Sequence, residues 1–145
     1  MRGLGLRLLL LGCSGFVGRE LVPYLLQLGH ELTLLSRGAQ PPGLPRDPRL
    51  HLLRGDPADP ATWRQEPLVQ ALAAAQGVVN LVGEPIAEKR WTDSHCQLLR
   101  DSRVRSTSLL VAAMAALPEP PAVLVNGSAV GFYGTSEQAS FDESS

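Results

Sequence analysis

The sequence predicts a doubly wound α/β domain in which about five parallel strands carry helices on both faces. Short apolar runs alternate with segments of helical periodicity, and no hairpin signal joins one run to the next. The chain has 145 residues, 44% of them hydrophobic and 19% charged, which suits a domain with a sizeable core. We therefore expect residues 1–145 to belong to a single domain.

The first half of the chain predicts three strands and one helix. The predicted elements are a strand at 6–11, a helix at 16–28, and strands at 31–36 and 50–53. The strands are short apolar runs, whereas the helix repeats apolar residues every three or four positions. Gly29 ends the helix, and the Gly- and Pro-rich residues 37–48 predict a surface loop.

The second half predicts two helices and two strands. Asp59 and Pro60 resemble an N-cap followed by a first helical residue, so we expect a helix to begin there and continue to Gly77. The remaining predicted elements are strands at 78–82 and 122–125 and a long helix at 92–117. Asn80 is a polar residue inside an apolar strand, which calls for a structural or functional reason.

Charge and cysteine content exclude several classes of protein. Thirteen Lys and Arg against fourteen Asp and Glu leave a net charge of -1, so the basic surface of a nucleic-acid-binding protein is missing. No segment is apolar for long enough to predict a membrane span. Cys13 and Cys96 stand far apart and no histidine has metal-ligand spacing, so we predict reduced thiols, a cytoplasmic location and no metal site.

One alternative concerns the residues before Cys13, which resemble a bacterial lipoprotein cleavage site. The unbroken apolar run there covers only residues 8–11, whereas a signal peptide needs roughly 7 to 15 apolar residues. The length of the run therefore disfavours a lipid anchor.

Three glycines follow the first predicted strand in the sequence GCSGFVG, at residues 12–18. In a strand-turn-helix context, Gly12 permits a tight turn, Gly15 allows backbone to approach a pyrophosphate, and Gly18 allows the helix to pack closely on the sheet. This spacing predicts a dinucleotide site. The alternative is that the three residues serve only as turn glycines.

The end of the second predicted strand bears on cofactor choice. An NAD-selective site carries Asp or Glu about 20 residues beyond the last glycine, where the carboxylate binds the ribose 2′-hydroxyl. Ser36 and Arg37 stand at that place instead. A guanidinium binds a 2′-phosphate, so the sequence favours NADP(H) over NAD(H), unless Arg37 is a solvated loop cation.

Polar residues and a glycine follow two other strands. Asp56 is placed to accept a hydrogen bond from an adenine amino group, or equally to form a turn. Asn80 and Gly83 lie at the carboxyl edge of the predicted sheet, where open α/β folds bind ligands. For Asn80 the alternative is a role in joining neighbouring strands.

Five segments together resemble the short-chain dehydrogenase/reductase superfamily. They are GCSGFVG, LLSRG, VVNLVGEPIAEKRW, RDSRVRST and GSAVGFYG. More narrowly, the chain is similar to the extended, NAD(P)-dependent sugar-epimerase-like branch, some members of which were formerly labelled cell-division inhibitors. The resemblance implies a Rossmann-type, NAD(P)-binding domain and hydride transfer between NADP(H) and a carbonyl or alcohol carbon of an unidentified small molecule.

The resemblance also implies roles for particular residues. Those expected around the cofactor are Gly12, Gly15, Phe16, Val17 and Gly18 at the pyrophosphate, Arg37 beside Ser36 at the 2′-phosphate, Asp56 at the adenine, Asn80, Leu81 and Gly83 along the ribose and nicotinamide, and Arg103 from the long helix. Ser128 is expected to be the catalytic serine that binds the reacting oxygen, although Asn126 replaces a small residue usual in relatives.

The superfamily's Tyr-x-x-x-Lys pair is missing from this sequence. Glu137 follows four residues after Tyr133, and Lys89, the only lysine, has no tyrosine at that spacing. We therefore expect the 145 residues to be the N-terminal portion of a longer enzyme, whose C-terminal region, or an oligomer partner, covers an open sheet edge. The alternative is a non-catalytic dinucleotide-binding or redox-sensing protein.

Overall fold

A computed structural model describes residues 5–38 and 41–145 of the chain. Within these residues it contains one sheet of five strands: β1 (Arg7–Leu11), β2 (Glu31–Ser36), β3 (Leu50–Arg54), β4 (Gly77–Asn80) and β5 (Val123–Asn126). All neighbouring strands are parallel, and their order is β3-β2-β1-β4-β5. This order matches the first five strands of dinucleotide-binding Rossmann folds and confirms the predicted fold class.

Helices connect β1 to β2, β3 to β4 and β4 to β5. They are α1 (Phe16–Gln27), α2 (Glu66–Ala74) and α3 (Asp93–Ala115), with short 3-10 helices at Thr62–Arg64 and Val130–Tyr133. Gly29 follows α1 in the left-handed conformation, with φ of 91°. The Thr92 side chain caps α3 by accepting a hydrogen bond from the backbone N–H of His95.

Two hydrophobic clusters lie on the two faces of the sheet, because successive strand side chains point to opposite sides. On one face, Leu10 and Leu34 pack with Val22 and Leu26 of α1. The other face is covered by α2 and α3, and its cluster consists of Leu9, Leu11, Leu35, Leu68, Leu72, Ala75, Val78 and Leu110. Helices on both faces, as predicted, bury the centre of the sheet.

The start of α2 differs from the prediction. Asp59 and Pro60 do not begin an α-helix: the Asp59 side chain accepts from the backbone N–H of Ala61 and forms a turn that leads into the 3-10 helix. Gln65 then adopts an extended conformation, and α2 begins at Glu66 with a proline in its first turn. The cap signal was wrong because the Asp59 carboxylate closes a local turn, a competing use of the same side chain.

The order of the strands creates a crevice at the carboxyl end of β1. Leu11, the last residue of β1, pairs with Leu35 of β2 on one side and with Asn80 of β4 on the other. Because β2 and β4 lie on opposite sides of β1, the loops that follow these strands diverge at this point. Open α/β sheets bind ligands in such a crevice. In the described residues β5 pairs only with β4. No described helix is long and apolar enough to cross a membrane.

Candidate functional site

A cavity of about 260 Å³ lies at the carboxyl ends of β1, β2 and β4. We call it the glycine-turn cavity. Of the residues predicted to bind the cofactor, those that line it are Gly12, Gly15, Ser36, Arg37, Asp56, Leu81 and Gly83. The structure thus brings together residues from the turn after β1, the end of β2 and the loops after β3 and β4.

At each of the three positions of the turn, glycine suits the structure for a different steric reason. Gly12 has φ of 72°, and a Cβ there would lie 2.5 Å from the backbone of Leu81 and Val82. A Cβ on Gly18 would collide with the backbone of Cys13, so this glycine lets α1 approach the turn. A Cβ on Gly15 would meet only the Gly12 carbonyl oxygen, at 3.7 Å, and Gly15 lines the cavity. Gly15 therefore leaves the space that a closely approaching pyrophosphate requires.

The first turn of α1 faces the site through its backbone. Gly15 is the N-cap, and as a glycine it has no side chain that could accept a hydrogen bond from the helix start. The first N–H groups of α1 therefore remain available to an anion. Phe16 is 93% exposed, and neither its side chain nor that of Val17 lines the glycine-turn cavity, so only backbone contacts suit these two predicted residues.

Ser36 and Arg37 lie where the sequence predicts the 2′-phosphate end. Ser36 is buried, and its hydroxyl accepts a hydrogen bond of 3.2 Å from the backbone N–H of Gly38. The Arg37 side chain is 68% exposed, and its Nη2 lies 3.6 Å from Oε2 of Glu84 in the loop after β4. Arg37 is thus a cavity-lining cation with a carboxylate partner that the sequence did not predict.

Asp56 lines the cavity and also forms a turn. Its carboxylate accepts a hydrogen bond of 2.9 Å from the backbone N–H of Ala58, and its own N–H donates to the Thr62 hydroxyl at 3.1 Å. The two alternatives for Asp56 are therefore compatible, because the turn holds the carboxylate at the cavity wall.

Three further predicted residues line a second cavity, of about 780 Å³, between α3 and the end of β5. We call it the α3 cavity. Asn80, Arg103 and Ser128 line it, and Val82 lines both cavities. The predicted site is therefore divided between two adjacent spaces.

Asn80 joins three elements of the fold. Its side-chain amide donates to the Asn126 side-chain oxygen on β5 at 2.7 Å and to the Thr107 hydroxyl on α3 at 3.1 Å. Its oxygen accepts from the backbone N–H of Val82 at 3.3 Å. These bonds explain a buried amide within an apolar strand and supply the structural role that the sequence left as one alternative.

Arg103 lies against the chain that separates the two cavities. A Cβ on Gly83 would be 2.8 Å from Arg103 Cζ, so the guanidinium packs directly on the Gly83 backbone. Nη1 of Arg103 donates to the Leu99 carbonyl oxygen at 3.3 Å. Gly83 thus contacts Arg103 as well as lining the glycine-turn cavity.

The thiol in the glycine turn is not suited to nucleophilic chemistry. Cys13 is fully buried and its Sγ lies 3.6 Å from the Leu11 carbonyl oxygen. Burial raises the pKa of this thiol to about 12, so it stays protonated near neutral pH. Cys13 therefore fills space beneath the turn.

Sequence reasoning missed two residues that shape the glycine-turn cavity. Ser102 lines it and accepts a hydrogen bond of 3.0 Å from the backbone N–H of Glu84. Glu84, in the loop after β4, lines the same cavity. Both residues belong to segments that carry the family resemblance, but neither type predicts a cofactor contact. Only the packing of α3 against the loop after β4 brings them together.

Comparison with known proteins establishes the family. Residues 8–145 match the NAD dependent epimerase/dehydratase family. The chain belongs to this family. The resemblance of its motifs to extended short-chain dehydrogenases and epimerases is thereby confirmed.

Individual relatives agree with this family assignment. Epimerase family protein SDR39U1 of Homo sapiens is 32% identical over 142 residues, which are 97% of this chain and 42% of that protein. Its chloroplastic homolog in Arabidopsis thaliana is 33% identical over 140 residues, 92% of this chain and 37% of that one. The chain thus spans about two fifths of the length of these relatives.

A solved structure supports the same fold. The crystal structure of human epimerase family protein SDR39U1 (isoform2) with NADPH has a TM-score of 0.69 and 31% sequence identity. The match covers 96% of this chain and 42% of the human chain. The description of the family and the NADPH in the human structure support a nicotinamide dinucleotide as the class of cofactor.

Proposed function

We propose that this chain binds NADP(H) in the glycine-turn cavity, as the cofactor domain of an epimerase or oxidoreductase that transfers hydride to or from a small-molecule carbon. One observation carries the proposal: Arg37, Gly12 and Gly15 line a single cavity, and Ser36 stands where an NAD-selective site has a carboxylate. The NADPH in the human relative's structure supports this cofactor class.

The residues present fit such a ligand along its length. The backbone at Gly12 and Gly15, with the first N–H groups of α1, would hold the pyrophosphate. Arg37 would pair with the 2′-phosphate and Asp56 would accept from the adenine amino group. When bound, the nicotinamide supplies the position that accepts or gives up hydride.

The α3 cavity is the proposed substrate side. Ser128 lies beside Asn80 and Arg103 there, and its hydroxyl would donate a hydrogen bond to the oxygen of the reacting carbon. The Asn80 hydrogen bonds to Thr107 and to the backbone of Val82 would keep the wall between the two cavities in place. Because the chain spans about two fifths of its relatives, we propose turnover for a longer protein, with this chain as its cofactor-binding part.

A reducing compartment such as the cytoplasm suits this chain, because Cys13 and Cys96 are both free thiols.

A non-catalytic dinucleotide-binding protein is the second candidate. The observation that favours it, within residues 1–145, is that Glu137 and not lysine stands four residues after Tyr133.

Calorimetric titration of the chain with NADPH and with NADH tests the cofactor assignment. We expect tighter binding of NADPH, and Arg37→Ala should narrow the difference by about 1 to 3 kcal/mol, because a charge-assisted contact is lost. Arg64→Ala is the matched control, since Arg64 is exposed and lies outside the glycine-turn cavity. Equal affinities for the two dinucleotides in the unmodified chain would refute the assignment.

A further inference from the structure

We propose that Glu84 determines cofactor selectivity by competing with the 2′-phosphate for two cations, Arg37 and Lys89. The proposal rests on the proposed function, because it concerns the same cavity and the same ligand. It adds a carboxylate that opposes binding and a second cation, Lys89, to the single arginine that the sequence predicts.

One carboxylate faces both cations. Nη2 of Arg37 lies 3.6 Å from Oε2 of Glu84, and Nζ of Lys89 lies 3.8 Å from Oε1. Each oxygen thus faces one cation. Both distances exceed hydrogen-bond length, so the pairing is electrostatic and leaves the N–H groups of the cations free to bind a better acceptor.

The carboxylate is held in place, whereas the cations are exposed. The Glu84 side chain is 13% exposed, against 68% for Arg37 and 61% for Lys89. The backbone of Glu84 donates to the Ser102 hydroxyl at 3.0 Å, and that hydroxyl donates to the Leu99 carbonyl oxygen on α3 at 2.9 Å. The long cationic side chains can therefore turn toward an arriving phosphate while Glu84 stays at the wall.

The Arg37–Glu84 contact joins opposite sides of the glycine-turn cavity. Arg37 follows β2 and Glu84 follows the strand on the other side of β1, and both line the cavity together with Gly12. The cavity volume of about 260 Å³ is below the roughly 300 to 1,000 Å³ of pockets that bind drug-sized ligands. In so small a space, a 2′-phosphate that pairs with Arg37 takes the place of the Glu84 carboxylate and breaks the contact, whereas a ligand without that phosphate leaves the contact intact.

Only a ligand with a 2′-phosphate competes with Glu84 for these two cations. A phosphate binds a guanidinium through short, bidentate hydrogen bonds, which are stronger than the 3.6 Å pairing it displaces. Glu84 nevertheless stays close and repels that phosphate. Removing the charge of Glu84 leaves Arg37 and Lys89 uncompensated, which favours NADPH more than NADH.

Calorimetric titration of Glu84→Gln with NADPH and NADH tests this inference. We expect NADPH affinity to rise about three- to tenfold and NADH affinity by less than about twofold, as loss of one partly buried like charge implies. Glu88→Gln is the matched control: Glu88 is an exposed residue of the same loop, and the substitution removes the same charge outside the cavity. It should leave the ratio of the two affinities unchanged.

A second variant tests the role of Lys89 independently of any effect of Glu84→Gln on folding. Lys89→Ala removes an exposed side chain, and NADPH binding should weaken about two- to fivefold while NADH binding is unchanged. If Glu84→Gln left the ratio of the two affinities unchanged, or if Glu84→Gln bound NADPH more weakly than the unmodified chain, the inference would be overturned while the proposed function stayed intact. Failure of the unmodified chain to bind either dinucleotide would overturn the proposed function and the inference with it.

Discussion

Replacing Asn80 with alanine tests how the two cavities are held together. The Asn80 side chain makes three hydrogen bonds, to Thr107 on α3, to Asn126 on β5 and to the backbone of Val82. Asn80→Ala removes all three and leaves the Thr107 hydroxyl and the Val82 N–H without this partner. The substitution therefore affects β4, β5 and α3 at once.

The magnitude follows from the burial of the partners. A hydrogen bond contributes about 0.5 to 1.5 kcal/mol net, and a buried group left without a partner costs more. Asn126 is exposed and can bind water instead, so its contribution is small. We expect Asn80→Ala to lower the free energy of unfolding by about 2 to 3 kcal/mol, with most of the loss arising at Thr107 and Val82.

Urea unfolding monitored by far-UV circular dichroism measures this loss. Asn126→Ala is the graded control: it breaks the 2.7 Å bond to Asn80 and an exposed 3.1 Å bond to the Gly127 carbonyl oxygen, and should cost about 1 kcal/mol or less. A loss below about 0.5 kcal/mol in Asn80→Ala, within the range of ordinary surface substitutions, would refute the reasoning. If NADPH binding were then abolished, Asn80 would act through the cofactor and not through the fold.

Two further predictions concern the turn after β1. Gly15→Val places a branched side chain in the open space over the turn, so it should abolish calorimetric binding of both NADPH and NADH while far-UV circular dichroism stays unchanged; retained binding would exclude the turn as the pyrophosphate site. Burial raises the pKa of Cys13 from 9.0 to about 12, so the unfolded chain loses the thiol proton first and the free energy of unfolding should fall by up to about 1.4 kcal/mol per pH unit between these values. Comparing urea unfolding of Cys13→Ala with the unmodified chain between pH 8 and about 10.5 isolates this effect, and parallel pH profiles would disprove it.

The sequence by itself determined the fold class and most of the strands. The second strand was predicted at its observed bounds, Glu31–Ser36, because a short apolar run between Gly29 and a Gly- and Pro-rich loop has few alternatives. Gly12 was predicted as the glycine of the tight turn and Gly18 as the glycine that lets the helix pack closely, and both expectations depend on backbone conformation and close approach within a few residues. Local sterics and periodicity suffice for features of this kind.

Only the tertiary structure decided how the site is divided and what opposes its ligand. Asn80 proved to join β4, β5 and α3, and Asp59 proved to close a turn, because side chains of these types have several partners available and packing selects among them. The pairing of Arg37 with Glu84 connects residues far apart in the chain, across the carboxyl end of β1. No local pattern encodes such a contact, since its distance depends on strand order and on the docking of α3 against the loop after β4.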